Sequence, residues 1–283
     1  DYDVAVAHLD VPPVILTPLP ERRWRVYLRP TSDTSDLLED AGEIVRRYAP
    51  QVTFADVENP TRFHCHSRVA TRFRAGRLLL AGDAAHACSP AEGHGMNTGL
   101  QDAFNLGWKL ALVCDGAAGP ALLDSYEEER RPVAQRVVAS GDDVEGGQGL
   151  TVLEERVERD AQIRRTYADP ESAHHEAVAA AELDRSYADS AVVGGDANPA
   201  LGTGARLPST APVAPASGTP RPLHELTRRP EHTLLVLGGP GADAGEVGEL
   251  TETLAAMYAR SPVVGAVVGL AADPADPAIG RMD

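Results

Sequence analysis

Residues 77–113 form the most informative stretch of this chain, because three different patterns follow one another within it. The short apolar run 78–81 lies between glycines, which is typical of a buried strand. A loop containing Pro90 and several glycines comes next. From Thr98 onward the residues follow a helical period, and one side of that helix is marked by Leu100, Phe104, Leu110 and Ala111. The stretch therefore predicts a strand, a Gly-Asp pair, a glycine-rich loop and a helix.

The chemistry of such a unit suits a particular kind of ligand. The N-terminus of a helix offers free N–H groups and about half a positive charge, which favours an anionic group. Gly93 and Gly95 carry no Cβ, so the backbone can approach a flat or bulky ligand closely. Asp83 follows the predicted strand and can accept hydrogen bonds from ligand hydroxyl groups. These features together predict a site for a polyhydroxylated, partly anionic cofactor.

An ordered series of motifs spans roughly residues 68–138. It comprises Gly82-Asp83-Ala84-Ala85-His86, Pro90, Gly93, Gly95-Met96-Asn97-Thr98-Gly99, Gln101-Asp102-Ala103 and Asn105-Leu106-Gly107-Trp108-Lys109-Leu110, followed by 122–126 and 129–134. The series resembles the class A flavoprotein monooxygenases, which are the p-hydroxybenzoate hydroxylase and phenol hydroxylase-like enzymes, and among them the polyketide hydroxylases. Two positions depart from the family pattern, since Glu92 and His94 stand where the family commonly has glycine and glutamine.

The resemblance implies a fold and a reaction. The fold is α/β (α+β): part of a p-hydroxybenzoate hydroxylase-like FAD-binding fold with an antiparallel substrate-domain sheet, followed by a thioredoxin-like βαβ unit. In the implied reaction NADPH or NADH reduces FAD, and the reduced flavin adds O2 to form a C4a-hydroperoxide. That species hydroxylates a small phenolic or polyketide substrate.

The resemblance also assigns residues to the site. The implied cofactor-binding residues are Gly82, Asp83, Pro90, Gly93, Gly95, Met96 and Asn97. Asp83 would hold the ribityl and phosphate portion of FAD, and the backbone of residues 95–97 would stabilise negative charge at the N1–C2=O edge of the flavin. Pro90, which would shape the loop beside the reacting edge, and His94 are the candidate catalytic residues. The competing interpretation of Asp83 is a helix or loop cap.

Other functions stay open at this point. The same fold could carry out Baeyer–Villiger oxygen insertion or another flavin oxidation. A truncated, non-catalytic subunit is the third hypothesis. A class A flavoenzyme begins with a strand, Gly-x-Gly-x-x-Gly and a helix that hold the pyrophosphate of FAD, and this chain contains no such fingerprint. The family's second motif, an Asp-Gly pair, is also missing. We therefore expect a C-terminal part of a longer enzyme, or a chain that another polypeptide completes with an N-terminal half.

The residues before the motif series predict a sheet and a helix. Residues 1–28 alternate as antiparallel strands do, with a turn at residues 20–23. Residues 33–48 predict a helix for which Asp36 is the cap. His64 and His66 would share one face of a strand and could hold a metal ion, but no third and fourth ligand has a recognisable spacing. The prediction there is an ordinary strand without a metal, and a place in the substrate pocket is the alternative.

The residues after the series predict a charged helix, a linker and a second unit. Residues 127–131 predict a solvated charged face, and Pro132 predicts a break or bend near Arg131. Residues 194–222 have the composition of a linker. Residues 234–237, 246–259 and 263–270 predict a strand, a helix and a strand, which resemble the thioredoxin-like domain of phenol hydroxylase-like enzymes. No cysteine follows Cys114, so the predicted role of this unit is scaffolding or homodimer formation.

The predicted domains are a partial substrate-domain sheet (1–70), the C-terminal part of an FAD-binding domain (71–193), the linker (194–222) and a partial thioredoxin-like domain (223–283). The net charge of −16, with no basic patch, argues against nucleic acid and anionic membranes as partners. No apolar run is long enough to span a membrane. Three scattered cysteines fit reduced thiols, so we expect a cytoplasmic protein.

Overall fold

The computed structural model describes residues 7–9, 14–30, 32–194, 202–207, 212–213, 221–228, 231–238 and 241–270. The first residues of the predicted N-terminal strands and most of the predicted linker lie outside the described residues. The strands, in chain order, are β1 (Ala7–Leu9), β2 (Val14–Leu19), β3 (Arg23–Leu28), β4 (Arg68–Val69), β5 (Arg74–Ala75), β6 (Leu78–Leu79), β7 (His86–Ala87), β8 (Pro212–Val213), β9 (Arg221–Pro222), β10 (His232–Leu237) and β11 (Val264–Leu270). The helices are α1 (Leu37–Tyr48), α2 (Gly95–Cys114), α3 (Asp124–Gln148), α4 (Leu153–Ala168), α5 (Pro170–Ala180), α6 (Leu223–Leu226) and α7 (Ala244–Tyr258).

Two compact units make up the chain. The first comprises Asp1–Ala70, Gly82–Thr98 and Ala134–Ala177, and the second comprises Thr71–Ala81, Gly99–Val133 and Val178–Asp283. Each unit is built from several separate stretches of sequence, so residues far apart in the chain meet in each of them. The domain boundaries expected from the sequence stay a prediction.

The first unit contains an antiparallel sheet in the order β1-β2-β3. Val14 lies opposite Leu9 on one side and Leu28 on the other. A short turn, Pro20–Arg22, joins β2 to β3. The antiparallel strands and the turn that the sequence predicts are therefore confirmed where the structure describes them.

Helix α1 packs on this sheet. Asp36 precedes the helix and its Oδ1 accepts hydrogen bonds from the N–H groups of Leu38 (2.8 Å) and Glu39 (3.1 Å), as the sequence predicts. These bonds satisfy two of the donors that a helix leaves free at its first turn. Ile44 and Val45 form a buried cluster with Val14, against which Leu16, Val26, Leu28 and Phe54 pack. Burying side chains of this kind stabilises a fold by roughly 1.5–3 kcal/mol each.

The strand predicted at residues 63–66 is wrong. These residues are exposed and belong to no strand. Instead of pairing with a strand edge, they lie against one side chain: Cys65 Sγ is 3.8 Å from Tyr27 Oη, and the rings of Phe63 and Tyr27 are 5.5 Å apart. Among the residues that the structure describes, no group of three or more histidine, cysteine, aspartate or glutamate side chains could hold a metal ion.

In the second unit, the apolar run 78–81 is not a buried strand as predicted. Only Leu78–Leu79 form a strand, in a two-residue hairpin with β5, and Leu78 is 75% exposed. A hairpin this short covers neither face of its own apolar residues, which is why they meet solvent. Buried aromatic residues anchor it instead: Tyr126 donates a hydrogen bond to the carbonyl oxygen of Leu80 (2.8 Å), and the Tyr126 ring lies 6.1 Å from that of Phe73.

Helix α3 runs from Asp124 to Gln148 without the break predicted near Arg131. Pro132 lies inside it and removes one N–H donor. Val133, Ala134 and Val137 follow directly and are all buried. Their burial favours the continued helix and offsets the cost of the proline, which is about 3 kcal/mol in a helix interior.

The predicted βαβ unit near the C-terminal end is confirmed. Strands β10 and β11 pair in parallel, with Leu235 opposite Val268, and α7 connects them. Asp243 caps α7 by accepting hydrogen bonds from Gly245 N (2.9 Å) and Glu246 N (3.1 Å). The thioredoxin-like identity of the unit stays a prediction. Throughout the described part of the chain, no helix combines the length and the apolar character needed to cross a membrane.

Candidate functional site

The Gly-Asp pair forms a tight turn in the first unit. Gly82–Ala84 is a single short 3-10 turn, closed by a 2.8 Å hydrogen bond from Ala85 N to Gly82 O. Gly82 has a positive φ of 56°, which glycine adopts without steric cost. Strand β7 then pairs with β4, and Ala70 N donates to Ala85 O (2.7 Å). The turn is thus held by backbone bonds on both sides, and it presents the Asp83 side chain to solvent.

The glycine-rich loop makes a second turn. Gly93 N donates to Pro90 O at 3.1 Å, and Ala91 N donates to the hydroxyl of buried Ser89 at 3.3 Å. Gly93 has a φ of 73°, and a Cβ at this position would meet nothing within 4 Å. The loop therefore needs glycine here for its backbone conformation and leaves open space beside the main chain.

Helix α2 begins directly after this loop. Thr98 donates from both N (2.9 Å) and Oγ1 (3.0 Å) to the carbonyl oxygen of His94, which makes His94 the cap residue. The N–H groups of Gly95, Met96 and Asn97 therefore belong to the first turn, where the helix itself supplies no acceptor. A helix start of this kind binds anionic groups.

The two residues that depart from the family pattern lie together. Glu92 Oε1 accepts a hydrogen bond from Ser140 Oγ (2.8 Å), while its Oε2 is buried without a hydrogen-bond partner. His94 Nδ1 lies 3.8 Å from that second oxygen. A carboxylate held in this way beside an imidazole can accept a proton or a hydrogen bond from a third group.

Acidic side chains also surround Cys88 in this loop. Burial raises the pKa of the Cys88 thiol, and the negative charges of Asp83, Glu92 and Asp142 raise it further. Cys88 is therefore a neutral thiol near neutral pH rather than a reactive thiolate. Its Sγ would lie 3.3 Å from a Cβ on Gly95, so the sulfur fills the space that a side chain at that position would need.

All residues that the sequence assigns to the site lie in one short stretch of the first unit, 82–97. They are Gly82, Asp83, Pro90, Gly93, His94, Gly95, Met96 and Asn97. Asp83, Pro90, Met96 and Asn97 are exposed. The structure thus places an exposed carboxylate, a glycine turn and a helix start on consecutive parts of one loop.

Comparison with known proteins gives a family match over a range that includes this loop. Residues 21–140 match the sequence model of the FAD binding domain family. The chain is 43% identical over 130 residues to pentachlorophenol 4-monooxygenase of Sphingobium chlorophenolicum, a match that covers 44% of this chain and 24% of that protein. It is 41% identical over 133 residues to 6-methylpretetramide 4-monooxygenase of Streptomyces rimosus, covering 45% of this chain and 24% of that protein.

Solved structures agree with the sequence comparison. CabE, an aromatic hydroxylase from angucycline biosynthesis, superposes with a TM-score of 0.68 at 29% identity, covering 98% of this chain and 55% of CabE. OxyS anhydrotetracycline hydroxylase from Streptomyces rimosus gives 0.67 at 29% identity, with 97% and 53% covered. The resemblance to the FAD-dependent aromatic hydroxylases is confirmed. So is the p-hydroxybenzoate hydroxylase-like fold, of which this chain spans about half the length found in those structures.

The residues of the loop 82–97 fit FAD. The exposed Asp83 carboxylate is an acceptor for the hydroxyl groups of the ribityl chain. The open space beside Gly93 admits a flat ring close to the backbone, and the first turn of α2 offers N–H groups to negative charge. Donors, acceptor and free space are therefore of the kinds that FAD requires.

The second unit contains a buried polar network that the sequence did not predict. Arg130 donates from Nε to Asp102 Oδ1 (2.7 Å) and from Nη1 to Tyr187 Oη (2.9 Å). Glu129 accepts from Lys109 Nζ (2.7 Å), Asn105 Nδ2 (2.5 Å) and Ser190 Oγ (2.7 Å). Burial lowers the pKa of Lys109, and the hydrogen bond and charge of Glu129 offset that only in part.

This network corrects one prediction. The solvated face expected at residues 127–131 holds for Glu128, but Glu129 is 6% exposed and Arg130 is fully buried. The helix predicted from Thr98 onward is confirmed, and its apolar side is partly in contact with solvent, since Phe104 is 83% exposed. The signal was present in the sequence: Asp102, Asn105 and Lys109 follow a helical spacing of three and four residues, which puts them on one face.

Proposed function

We propose that this chain is the C-terminal part of an FAD-dependent monooxygenase that hydroxylates a phenolic or polyketide-like aromatic substrate with NADPH or NADH and O2. The observation that supports it most is the loop 82–97, in which the Gly82–Asp83 turn, the Gly93 turn and the start of α2 follow one another. The similarity to pentachlorophenol 4-monooxygenase and to CabE, an aromatic hydroxylase, supports the aromatic substrate class.

When bound, FAD would supply the redox chemistry that transfers electrons from NADPH or NADH to O2. The protein would supply binding and electrostatics. In this chain Asp83 would accept hydrogen bonds from the ribityl hydroxyls. The N–H groups of residues 95–97 would stabilise negative charge on the electron-rich edge of the flavin ring. Pro90 restricts the loop, and Glu92, whose buried Oε2 lies beside His94, gives the site a proton acceptor where the family pattern commonly has glycine.

A second polypeptide segment is part of the proposal. FAD also has an ADP portion, which a Gly-x-Gly-x-x-Gly turn binds in dinucleotide-binding folds. This chain has no such turn. We therefore propose that an N-terminal half, on the same or on another polypeptide, completes the flavin site.

Flavin retention tests this function. In the complete enzyme, Asp83→Ala should remove most of the FAD that copurifies with the protein, because it deletes the ribityl acceptor. Asp143→Ala, a change at another exposed aspartate of the first unit, is the matched control and should retain flavin as the wild type does. The measurement is flavin absorbance per polypeptide after gel filtration. Stoichiometric flavin in Asp83→Ala would contradict the assignment.

Product analysis tests the reaction. The flavin-loaded enzyme is given NADPH or NADH and a panel of phenols and polycyclic phenols, and the products are identified by mass spectrometry. A product heavier by one oxygen that keeps its aromatic ring supports hydroxylation. A lactone would show Baeyer–Villiger insertion instead. If the complete enzyme bound no flavin, the result would support the hypothesis of a non-catalytic subunit.

A further inference from the structure

Helix α3 holds the glycine-rich loop of the first unit from outside. Ser140 on α3 donates a hydrogen bond from Oγ to Glu92 Oε1 at 2.8 Å. At the next residue, Gly141, a Cβ would lie 3.6 Å from the Cβ and the carbonyl oxygen of Ser89, so the helix packs directly against the loop there. Ser140 follows the motif series at 68–138 and is not part of it. One oxygen of the Glu92 carboxylate is thus fixed by a residue that the motifs do not include.

The other oxygen of Glu92 lies beside an imidazole. Oε2 is buried and has no hydrogen-bond partner among the described residues. His94 Nδ1 lies 3.8 Å from it, on the other side of the turn at Gly93. A buried acceptor without a donor is destabilising. A rotation of the imidazole that shortens this distance by about 1 Å would give Oε2 the N–H donor that it lacks.

This arrangement decides which nitrogen of His94 is free to accept a proton. A neutral imidazole has one N–H group and one acceptor nitrogen, and a hydrogen bond from the first fixes the second. When Nδ1 carries the hydrogen and donates it to Glu92, Nε2 is the acceptor. In the described part of the chain Nε2 has no hydrogen-bond partner, and the His94 side chain is 20% exposed. A ligand can therefore reach this ring.

The position of His94 connects the pair to the candidate flavin site. Gly93 and Gly95 flank it, and the sequence assigns both to the flavin. Its carbonyl oxygen accepts the cap hydrogen bonds of α2, so a change of its side chain leaves the cap in place. A substrate that reacts at the bound flavin must come close to this loop. The imidazole is thus a proton acceptor at the place where the substrate is expected.

We infer that His94 Nε2 accepts the proton of the substrate's phenolic hydroxyl, and that Glu92 and Ser140 are positioning residues that hold the imidazole for this step. The O–H bond breaks, an N–H bond forms at Nε2, and the electron pair stays on the oxygen. The phenolate ring is richer in electrons and reacts faster with an electrophilic oxygen donor. The imidazolium lies next to the negative charge of Glu92 and later releases the proton to solvent. The inference rests on the proposed function, because it assigns a proton transfer in that reaction.

The test uses the complete, flavin-loaded enzyme without NADPH or NADH, so that no turnover occurs. The probe is 4-nitrophenol, whose phenolate absorbs at longer wavelength than the phenol, at a pH at which the free compound is mostly un-ionised. Difference spectra give the ratio of phenolate to phenol in the bound ligand. The variants are His94→Gln, which introduces the residue common in the family, Glu92→Gln, Ser140→Ala and Ser140→Thr. Glu155→Gln is the matched control, since Glu155 is exposed on α4.

We expect the wild type and Glu155→Gln to bind the probe as phenolate. His94→Gln should lower the ratio of phenolate to phenol at least about tenfold, because the acceptor of the proton is gone. Glu92→Gln and Ser140→Ala should lower it by a smaller factor, and Ser140→Thr, which keeps the hydroxyl group, should stay near the wild type. Flavin content and circular dichroism verify that each variant is folded.

Three results would overturn the inference while the proposed function stands. The first is a flavin-loaded wild type that binds the probe un-ionised or does not bind it. The second is a wild-type ratio in folded His94→Gln, and the third is a wild-type ratio in both Glu92→Gln and Ser140→Ala. A complete enzyme that holds no FAD would contradict the proposed function itself, and the inference with it.

Discussion

Arg130 Nε donates to Asp102 Oδ1 across 2.7 Å, and neither side chain is exposed to solvent. Removing two charges from water is costly, and only their mutual attraction and further hydrogen bonds offset that cost. Arg130 Nη1 donates one such bond to Tyr187 Oη. The pair therefore connects α2 to α3. Removal of either side chain would leave the other charge buried without its partner.

We expect Arg130→Met to lower the free energy of unfolding by about 3–5 kcal/mol, because the Asp102 carboxylate stays buried without its partner. Arg47→Ala is the control, since it removes an exposed ion pair with Glu43 and should cost no more than about 0.5 kcal/mol. Urea denaturation measures both. The double variant Arg130→Met with Asp102→Leu should recover most of the loss; equal effects for Arg130→Met and Arg47→Ala would show that the pair is not buried in solution.

The buried Lys109 makes stability depend on pH in a defined direction. Its pKa is lower in the folded protein than its ordinary value of 10.5, chiefly because of burial. Between those two values the unfolded chain binds more protons than the folded one, so the free energy of unfolding rises with pH in that window. Below the window the contribution is constant.

Lys109→Met removes this titration. The difference in unfolding free energy between the wild type and Lys109→Met should therefore increase as the pH rises towards 10.5. Tyr27 and Tyr126, whose pKa values burial raises, also titrate at alkaline pH, but they are present in both proteins and cancel in the difference. A difference that stays flat, or that falls, across this range would contradict the lowered pKa.

The pKa of the Cys88 thiol depends on how close the Asp83 carboxylate is to the sulfur. Burial and the Asp83 charge both raise the pKa of Cys88. Asp83→Asn should therefore lower that pKa and increase the rate of alkylation by iodoacetamide at a fixed pH, because more thiolate is present. Cys114, which is exposed, serves as the internal control. Peptide mass spectrometry at a series of pH values measures both rates, and an unchanged titration of Cys88 would place Asp83 away from the sulfur.

Local patterns in the sequence were sufficient for several elements of this fold. Asp36 before an amphipathic helix predicts its cap, and the spacing of apolar runs predicts the β10-α7-β11 unit, because both depend on residues close together in the chain. The loop 82–97 follows from glycines and a carboxylate in order. Such features need no knowledge of what packs against them.

The misjudged features depend on tertiary contacts. Helical spacing shows that Leu100 and Phe104 share a face, and equally that Asp102 and Lys109 do, but it does not show which face is covered. Burial of the polar face follows from partners on a distant part of the chain, Glu129 and Arg130. Single-sequence reasoning assigned those charges to solvent, since charged residues are seldom buried unless they are paired.

Gly93 and Gly107 provide a test of the loop conformation, because a Cβ at either position would meet nothing within 4 Å. They differ in backbone conformation: Gly93 has a φ of 73°, whereas Gly107 lies within α2. Gly93→Ala should therefore lower the free energy of unfolding by about 1–2 kcal/mol, the cost of a left-handed conformation for a residue with a Cβ. Gly107→Ala should raise it by about 0.5–1 kcal/mol, because alanine loses less entropy in a helix. Thermal denaturation measures both changes in the free energy of unfolding, and changes of opposite sign would verify the turn at Gly93. If both substitutions stabilised the protein, Gly93 would have an ordinary negative φ and the turn would not have the conformation described.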